Sequence, residues 1–469
     1  MAIKHLVWLR NDLRWLDNPA LYYAALEGNI RVLVTATPTQ WKKHHESKAK
    51  IGLRAGLIRR LFAKLADSGI PAELITVDTF DDLPDALERY CLSHGVEHIW
   101  FNQDIPIDEQ QRDQGVSQQL RGKGIESHPQ SVDLIVPNAV LSQQGTPFKV
   151  FTPFFKRWLS LLSMQDWQPL PEPAPQGEAL DFIEPEIHWD QTYRDDLWIP
   201  DQEIAKQKLW HFCHTKEADY QAKRDYPMEP GTSTLSPYLA LGALGPRECL
   251  FAIQYVCEQT DRRWQDSIWL KELAWRDFYR QLMGHFSFLA MGKPFKNETD
   301  FIRWNQDEAL FEAWTQGNTG FPIVDAAMRQ LNQTGWMHNR LRMVSASFLS
   351  KLIFADWRKG EAYFMSKLVD GEFSANNGGW QWSASTGCDA APYFRVFNPT
   401  RQSETYDAKG DFIRRFVPEL KTLDAKSIHN PSPAQRIECG YPSPILDYKA
   451  ARLAAIQSFA DLKEIKEHK

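Results

Sequence analysis

Short apolar runs alternate with amphipathic stretches through residues 1–128. His5–Leu9, 31–35, Ala72–Thr76 and 98–101 are rich in Val, Ile, Leu, Trp and Phe and have the length of buried strands. Between them, 53–68 and Leu83–His94 place apolar residues at helical spacing. Strand alternating with helix predicts an α/β domain built on a doubly wound, Rossmann-like parallel sheet. The first strand is followed by Arg10-Asn-Asp-Leu-Arg14, not by Gly-x-Gly-x-x-Gly, which weakens a nicotinamide dehydrogenase reading. Pro169, Pro171, Pro173, Pro175 and Pro185 sit among acids and predict extended chain, so 129–198 reads as an interdomain linker. From 199 to 469 the period is almost wholly helical, without an internal repeat, and ends in a charged amphipathic helix near 448–466.

Composition narrows the class. A chain of 469 residues can bury large cores in two or three domains, and its 18 tryptophans make aromatic packing or aromatic chemistry a theme. Charges interrupt every apolar run short of membrane-spanning length, and the N-terminus enters a strand without a signal peptide, so the expectation is a cytoplasmic protein. The six cysteines are scattered without a Cys-x-x-Cys pair, which fits reduced thiols; His211, Cys213 and His214 read as structural, with no metal expected. A net charge of −6 counts mildly against nucleic acid, but Arg340 with Arg342, and Arg395 with Arg401, Arg414 and Arg415, form local basic clusters. A solvated face explains such clusters as readily as a DNA footprint.

Four segments carry chemistry. Gly231-Thr-Ser-Thr-Leu-Ser-Pro237 puts hydroxyls before a helix start, with Ser236 expected as N-cap and Pro237 first in the helix, an arrangement that binds phosphate. In Trp269–Arg280, Glu272, Trp275, Arg276 and Tyr279 share one helix face; Trp336, Asn339, Arg340 and Met343 have the same spacing. Faces that mix aromatic, amide, carboxylate and guanidinium are costly to bury unless a ligand satisfies them. The richest segment is 370–387, where a Gly/Asn bend with Asp370 and Glu372 precedes Trp380 and Trp382. Such residues suit a planar ligand with polar edges, an isoalloxazine or a nucleobase; an Asn-Gly turn before a buried aromatic strand is the other reading.

The blocks 7–18, 269–280, 320–343 and 370–387 resemble the photolyase/cryptochrome family over essentially the whole chain, most closely the bacterial class I cyclobutane pyrimidine dimer photolyases. The resemblance implies an all-α FAD- and DNA-binding catalytic domain at 199–469 and an antenna-binding α/β domain at 1–128. It also implies a carbon–carbon lyase for light-dependent DNA repair, in which excited reduced FAD donates an electron to a flipped-out dimer in UV-damaged DNA. The FAD contacts it implies are Tyr220, Thr232, Ser233, Thr234, Leu235, Ser236, Trp269, Arg276, Asn339, Arg342, Asp370, Glu372 and Asn376, the last facing flavin N5. Trp304, Trp357 and Trp380 match the family's electron relay. Glu272, Asn339, Met343, Trp275 and Trp382 match the catalytic pocket, and Arg224, Arg276, Arg340, Arg395 and Arg401 join them on DNA. A methenyltetrahydrofolate antenna falls on His44, Asp108 and Glu109, with a deazaflavin or no antenna as alternatives.

Some positions depart from the pattern. Glu372 replaces a second Asp, Thr234 stands where many relatives have Arg, Asp108 replaces Asn, and 290–293 lacks a Cys-Lys pair. A cryptochrome-type blue-light photoreceptor and a (6-4) photoproduct photolyase are the alternative functions; Asn376, Met343, Trp382 and Asn339-Arg340 weigh against them. The implied state is a nucleoid-associated monomer that needs no protein partner and no membrane.

Overall fold

The computed structural model describes residues 3–130, 133–137, 139–164 and 167–467, with side chains to residue 462; Met1 and Ala2 of the expected leaderless start lie outside them. The chain forms two compact units. One comprises Met1–Ala218 and Ser233–Ala290, the other Asp219–Thr232 and Met291–Lys469.

The first unit is built on five parallel strands, β1 His5–Leu9, β2 Ile30–Ala36, β3 Ala72–Thr76, β4 His98–Asn102 and β5 Glu126–Gln130, in the order β3-β2-β1-β4-β5. Its helices include α1 Pro19–Glu27, α2 Pro38–Lys43, α3 Lys48–Asp67, α4 Leu83–His94 and α5 Ile107–Arg121. Leu6, Val7, Trp8 and Leu9 are all buried, as expected of a strand covered on both faces. The chain winds outward from β1 in both directions, which is the doubly wound sheet that the alternating pattern predicts. Local signals start the helices: Asn18 accepts the Leu21 N–H ahead of α1, and Ser47 accepts the Lys50 N–H ahead of α3.

Two features escaped the sequence pattern. Strand β5, Glu-Ser-His-Pro-Gln, lacks an apolar run and exists through its pairing with β4 at the sheet edge, where Pro129 is tolerated. The stretch read as linker is extended around its prolines but also carries helix Phe151–Leu162, which buries Phe151, Phe154, Trp158 and Leu162.

Residues 133–137 are strapped to helix Ile268–His285 of the same unit by one carboxylate. Asp277 is fully buried and accepts N–H donors from Ile135 (3.0 Å), Val136 (3.1 Å) and the Trp158 indole (2.9 Å). Burial raises its pKa, and these donors oppose the rise. Val140 adds an N–H to Gln281 Oε1 at 2.8 Å.

The second unit is helical, as the sequence period predicts. Its core includes Trp314, Trp357, Trp380, Leu341, Phe364, Phe412 and Ile413. Helix Asn339–Ser347 runs into a π-helical turn, Phe348–Ile353, followed by helices Trp357–Lys367 and Phe373–Ala384. The last of these corrects the reading of 376–379 as a bend. Glu372 caps it by accepting the Ala375 N–H at 2.8 Å, and Ser374, Asn377, Trp380, Gln381 and Ala384 are buried along it. The spacing is helical, but the buried side chains are largely polar, so hydrophobic periodicity could not reveal it.

Replacing Asp277 with Ala leaves three buried N–H groups without an acceptor. At a cost of about 1–3 kcal/mol each, D277A is expected to lose at least about 3 kcal/mol in denaturant unfolding; a loss under 1 kcal/mol would contradict the strap.

Candidate active site

In the first unit, helix Ile268–His285 begins at Ser267, whose hydroxyl accepts the Leu270 N–H at 3.2 Å. Leu270, Leu273, Ala274, Asp277 and Phe278 face the core, whereas Glu272, Trp275, Arg276 and Tyr279 are half-buried, the face the spacing predicts. The Trp275 ring lies parallel to Phe151, with centroids 3.7 Å apart, so its plane is fixed from one side. Arg276 gives Nη1 to the Asp133 carbonyl and Nη2 to its carboxylate, both at 2.6 Å, and Arg14 holds the other carboxylate oxygen at 3.0 Å. Burial alone would raise the Asp133 carboxyl, but Arg14 and Arg276 outweigh it and hold it well below the ordinary range. Arg276 is thus an internally paired cation.

Trp269 is buried against Phe212 at 4.8 Å. Ser233, Thr234 and Ser236 are half-buried and Leu235 is buried. Thr234 takes a left-handed φ of 53°, and its hydroxyl donates to the Ser233 carbonyl at 2.7 Å. The expected N-cap shifts by one residue: Leu235 caps a five-residue helix that Ser236 begins. The expected antenna residues also meet. His44 Nε2 lies 3.1 Å from Asp108 Oδ2 and its Nδ1 3.7 Å from Glu109 Oε1. Burial raises the Glu109 pKa, and its Oε2 is buried without a hydrogen-bond partner.

In the second unit, Arg342 donates to the Met337 carbonyl (2.9 Å) and to Asp370 Oδ2 (2.7 Å), while Asp370 Oδ1 is buried without a partner. Helices Trp357–Lys367 and Phe373–Ala384 are joined by hydrogen bonds that centre on Glu361. Asn376 Nδ2 donates to the Glu361 carbonyl (3.0 Å) and Asn377 Nδ2 to Glu361 Oε1 (2.8 Å). Gln381 Nε2 donates to Asn377 Oδ1 (3.0 Å), and Gln381 Oε1 accepts the Phe295 N–H (2.9 Å). A carbonyl can only accept, so the Asn376 atom facing Glu361 is its nitrogen and the amide oxygen is the end presented elsewhere. Burial raises the Glu361 pKa to about 7, against the opposing Asn377 donor.

The same two helices carry Trp357 and Trp380. A Cβ on Gly360 would stand 2.1 Å from Trp380 Cη2, so only glycine permits this approach. Trp304 is buried against Phe354 at 5.1 Å, and the next residue bridges to Ala355, two positions before Trp357. Trp382 and Met343 are half-buried, Asn339 is exposed, and Tyr220 and Thr232 are buried and half-buried.

Trp336 does not share a helix face with Asn339, Arg340 and Met343, because the helix starts only at Asn339. His338 caps it by accepting the Arg340 N–H at 3.2 Å, and burial lowers the His338 pKa to about 4. Arg340 pairs with Asp225 at 2.9 Å and lies over the Tyr406 ring; Arg224 lies over Tyr220. Arg395 and Arg401 are exposed. Asp133, His338, Glu361 and Gln381 were not singled out in the sequence; Asn377 belongs to the Gly/Asn segment that was. Asp133 and Glu361 meet partners distant along the chain, His338 caps a helix two residues before Arg340, and the Asn377–Gln381 pair lies one turn apart in a helix that apolar periodicity does not reveal.

Glu361 gives a pH signature. Its folded pKa of about 7 exceeds the ordinary 4.5, so its stabilising contribution is complete below about 4.5 and is lost as pH rises through 7. Glu361→Gln is expected to flatten the fall in unfolding free energy across that window, by up to about 3 kcal/mol. Identical pH slopes in the two proteins would show that Glu361 does not titrate there.

Residues 5–176 match the family described as DNA photolyase, and residues 269–461 match the FAD binding domain of DNA photolyase. The deoxyribodipyrimidine photo-lyase of Escherichia coli (strain K12) is 42% identical over 465 residues, spanning 97% of this chain and 98% of its own. Among solved structures, a class III photolyase from Agrobacterium tumefaciens superposes with a TM-score of 0.85 at 33% identity, covering 99% of this chain and 98% of that one. A Synechocystis cryptochrome gives 0.83 at 26%, covering 97% and 99%, so the fold alone does not separate the two activities. With the sheet, the helical unit and both family matches in agreement, the chain belongs to the photolyase/cryptochrome family.

Proposed function

We propose that this protein repairs UV-damaged DNA by splitting cyclobutane pyrimidine dimers in light. Near-full-length identity to an enzyme named for that reaction carries the reading. The residues also fit a flavin. Asp370 Oδ1 is buried without a partner beside the Arg342 guanidinium, and the Asn376 amide oxygen is turned away from Glu361. That oxygen accepts a proton donor such as the N5–H of a reduced isoalloxazine and matches a ring that lacks this hydrogen less well. The group these residues would hold is reduced FAD, which when bound and excited by light would lend the dimer one electron and take it back once the cyclobutane ring has opened.

The chain's own residues bind, orient and exclude water. Tyr220, Thr232, Ser233, Thr234, Leu235, Ser236, Trp269, Asn339, Arg342, Asp370, Glu372 and Asn376 hold the cofactor. Glu272 and Asn339 hydrogen-bond the pyrimidine edges, Trp275 and Trp382 offer ring faces, and Met343 packs beside them. Phe151 already covers one face of Trp275, which presents the ring rather than letting it collapse. Photolyases are among the enzymes that extrude their target base, at a cost of a few kcal/mol that is lowest at a damaged step. Aromatic stacking returns about 1–3 kcal/mol per base, so the two nearly cancel and net affinity rests on phosphate contacts. Arg395 and Arg401 are exposed and suited to that role. Arg224 and Arg340 join them, with Arg340 first sharing its charge with Asp225, and Arg276 serves through the Asp133 pair.

Trp304, Trp357 and Trp380 form the relay, and His44, Asp108 and Glu109 take the folate antenna, with the unpartnered Glu109 Oε2 as acceptor for a ring N–H. The same reading makes 1–128 the antenna domain and 199–469 the catalytic one. It places the protein in the bacterial cytoplasm with the nucleoid, as a monomer without a protein partner; no described helix is long and apolar enough to cross a membrane.

Glu272→Ala tests the substrate assignment. Repair under saturating light is expected to slow at least tenfold while flavin absorbance per chain stays unchanged. Normal repair, or loss of the flavin, would contradict the role given to Glu272.

A further inference from the structure

Away from these residues, three metal-ligating side chains of the first unit converge on one point. Strands β4 and β5 start side by side in register, His98 opposite Glu126 and Trp100 opposite His128. His98 and His128 are half-buried and Glu126 is exposed. His98 Nδ1 lies 3.1 Å from His128 Nε2, and Glu126 Oε2 lies 3.6 Å from the first nitrogen and 3.9 Å from the second. We propose that these three atoms bind a divalent transition ion of the zinc class, with water completing its shell.

The geometry supports an ion over a plain imidazole pair. Tetrahedral ligands about 2.0–2.2 Å from zinc stand roughly 3.4 Å from one another, within the range that these three atoms already span. One carboxylate oxygen faces both ring nitrogens, which a single N–H···N bond does not require. The rings are braced as well: Trp100 stacks on His128 at 4.1 Å and 14°, and His5 stacks on His98 at 4.9 Å and 13°. The Trp100 indole donates to His5 Nδ1 at 3.3 Å. On binding, the ring that carries the bridging proton takes it on its other nitrogen by exchange with solvent, so both facing nitrogens offer lone pairs to the ion and both rings stay neutral.

The position indicates a structural ion. These residues sit at the N-terminal ends of the strands, whereas open α/β sheets bind reacting ligands at the C-terminal ends. Here β5 is the edge strand, held on one side only by β4, and the ion would cross-link the pair. Its binding energy therefore adds to folding stability and leaves repair unaffected.

Calorimetric titration of the flavin-loaded full chain, stripped of metal by chelator, with zinc chloride tests this. The expected result is one ion per chain, a zinc-dependent rise in melting temperature, and an unchanged repair rate. The His98→Gln/His128→Gln double variant is expected to lose at least tenfold in affinity together with the melting shift. Flavin absorbance reports whether that variant folds. Glu126→Gln, on an exposed side chain, keeps the test open if it does not, and should weaken binding severalfold. No zinc uptake by the parent chain, or equal uptake by a folded double variant or by E126Q, would overturn the site.

Discussion

The second unit depends on a buried carboxyl. Glu361 sits where two helices come close enough that Gly360 admits no side chain, and it takes one amide on its carbonyl and another on its carboxyl. Through Asn377 it reaches Gln381 and the Phe295 backbone, so five groups form one satisfied chain of hydrogen bonds. In a low dielectric such a chain is stiff, because every break exposes an unpaired buried group. The Asn376 amide is oriented as a by-product of that stiffness, and Trp380 is pinned by the same helix contact. A site built this way is set before any ligand arrives, which is what electron transfer over fixed distances requires.

The second constraint is electrostatic. Two of the arginines that the sequence offers as DNA contacts are paired inside the protein, Arg276 on Asp133 and Arg340 on Asp225, and Arg14 and Arg342 are likewise paired, with Asp133 and Asp370. With a net charge of −6, affinity for a polyanion has to come from the cations that stay exposed. Arg395 and Arg401 are exposed, and binding of undamaged DNA that rests on such phosphate contacts should be weak and steeply dependent on salt. Discrimination then falls to shape and stacking at the extruded dimer.

The α/β sheet was legible because β1, β2, β3 and β4 are apolar runs of strand length; β5 was not, since its ESHPQ sequence gains its form only from its neighbour. The half-buried face of helix Ile268–His285 could be read from spacing alone, and the residues resembling a flavin site could be found by their blocks. The helix through Asn376 could not be read, because its buried face is largely amide and hydroxyl where a periodicity argument needs leucine. Asp133, Asp277 and Glu361 were invisible for a related reason: each is defined by partners far away in sequence, and a lone acid carries no signal of burial.

On the proposed function, light acting through this protein opens a cyclobutane dimer. The direct measurement is ultraviolet absorbance of UV-irradiated oligothymidine mixed with the reduced, flavin-loaded protein, under near-UV or blue light and in the dark. A rise in the thymine band that occurs only under illumination is the predicted result. An unchanged spectrum in light, with the flavin bound and reduced and the oligonucleotide bound, would contradict it and assign the same fold to photoreception or to a different lesion.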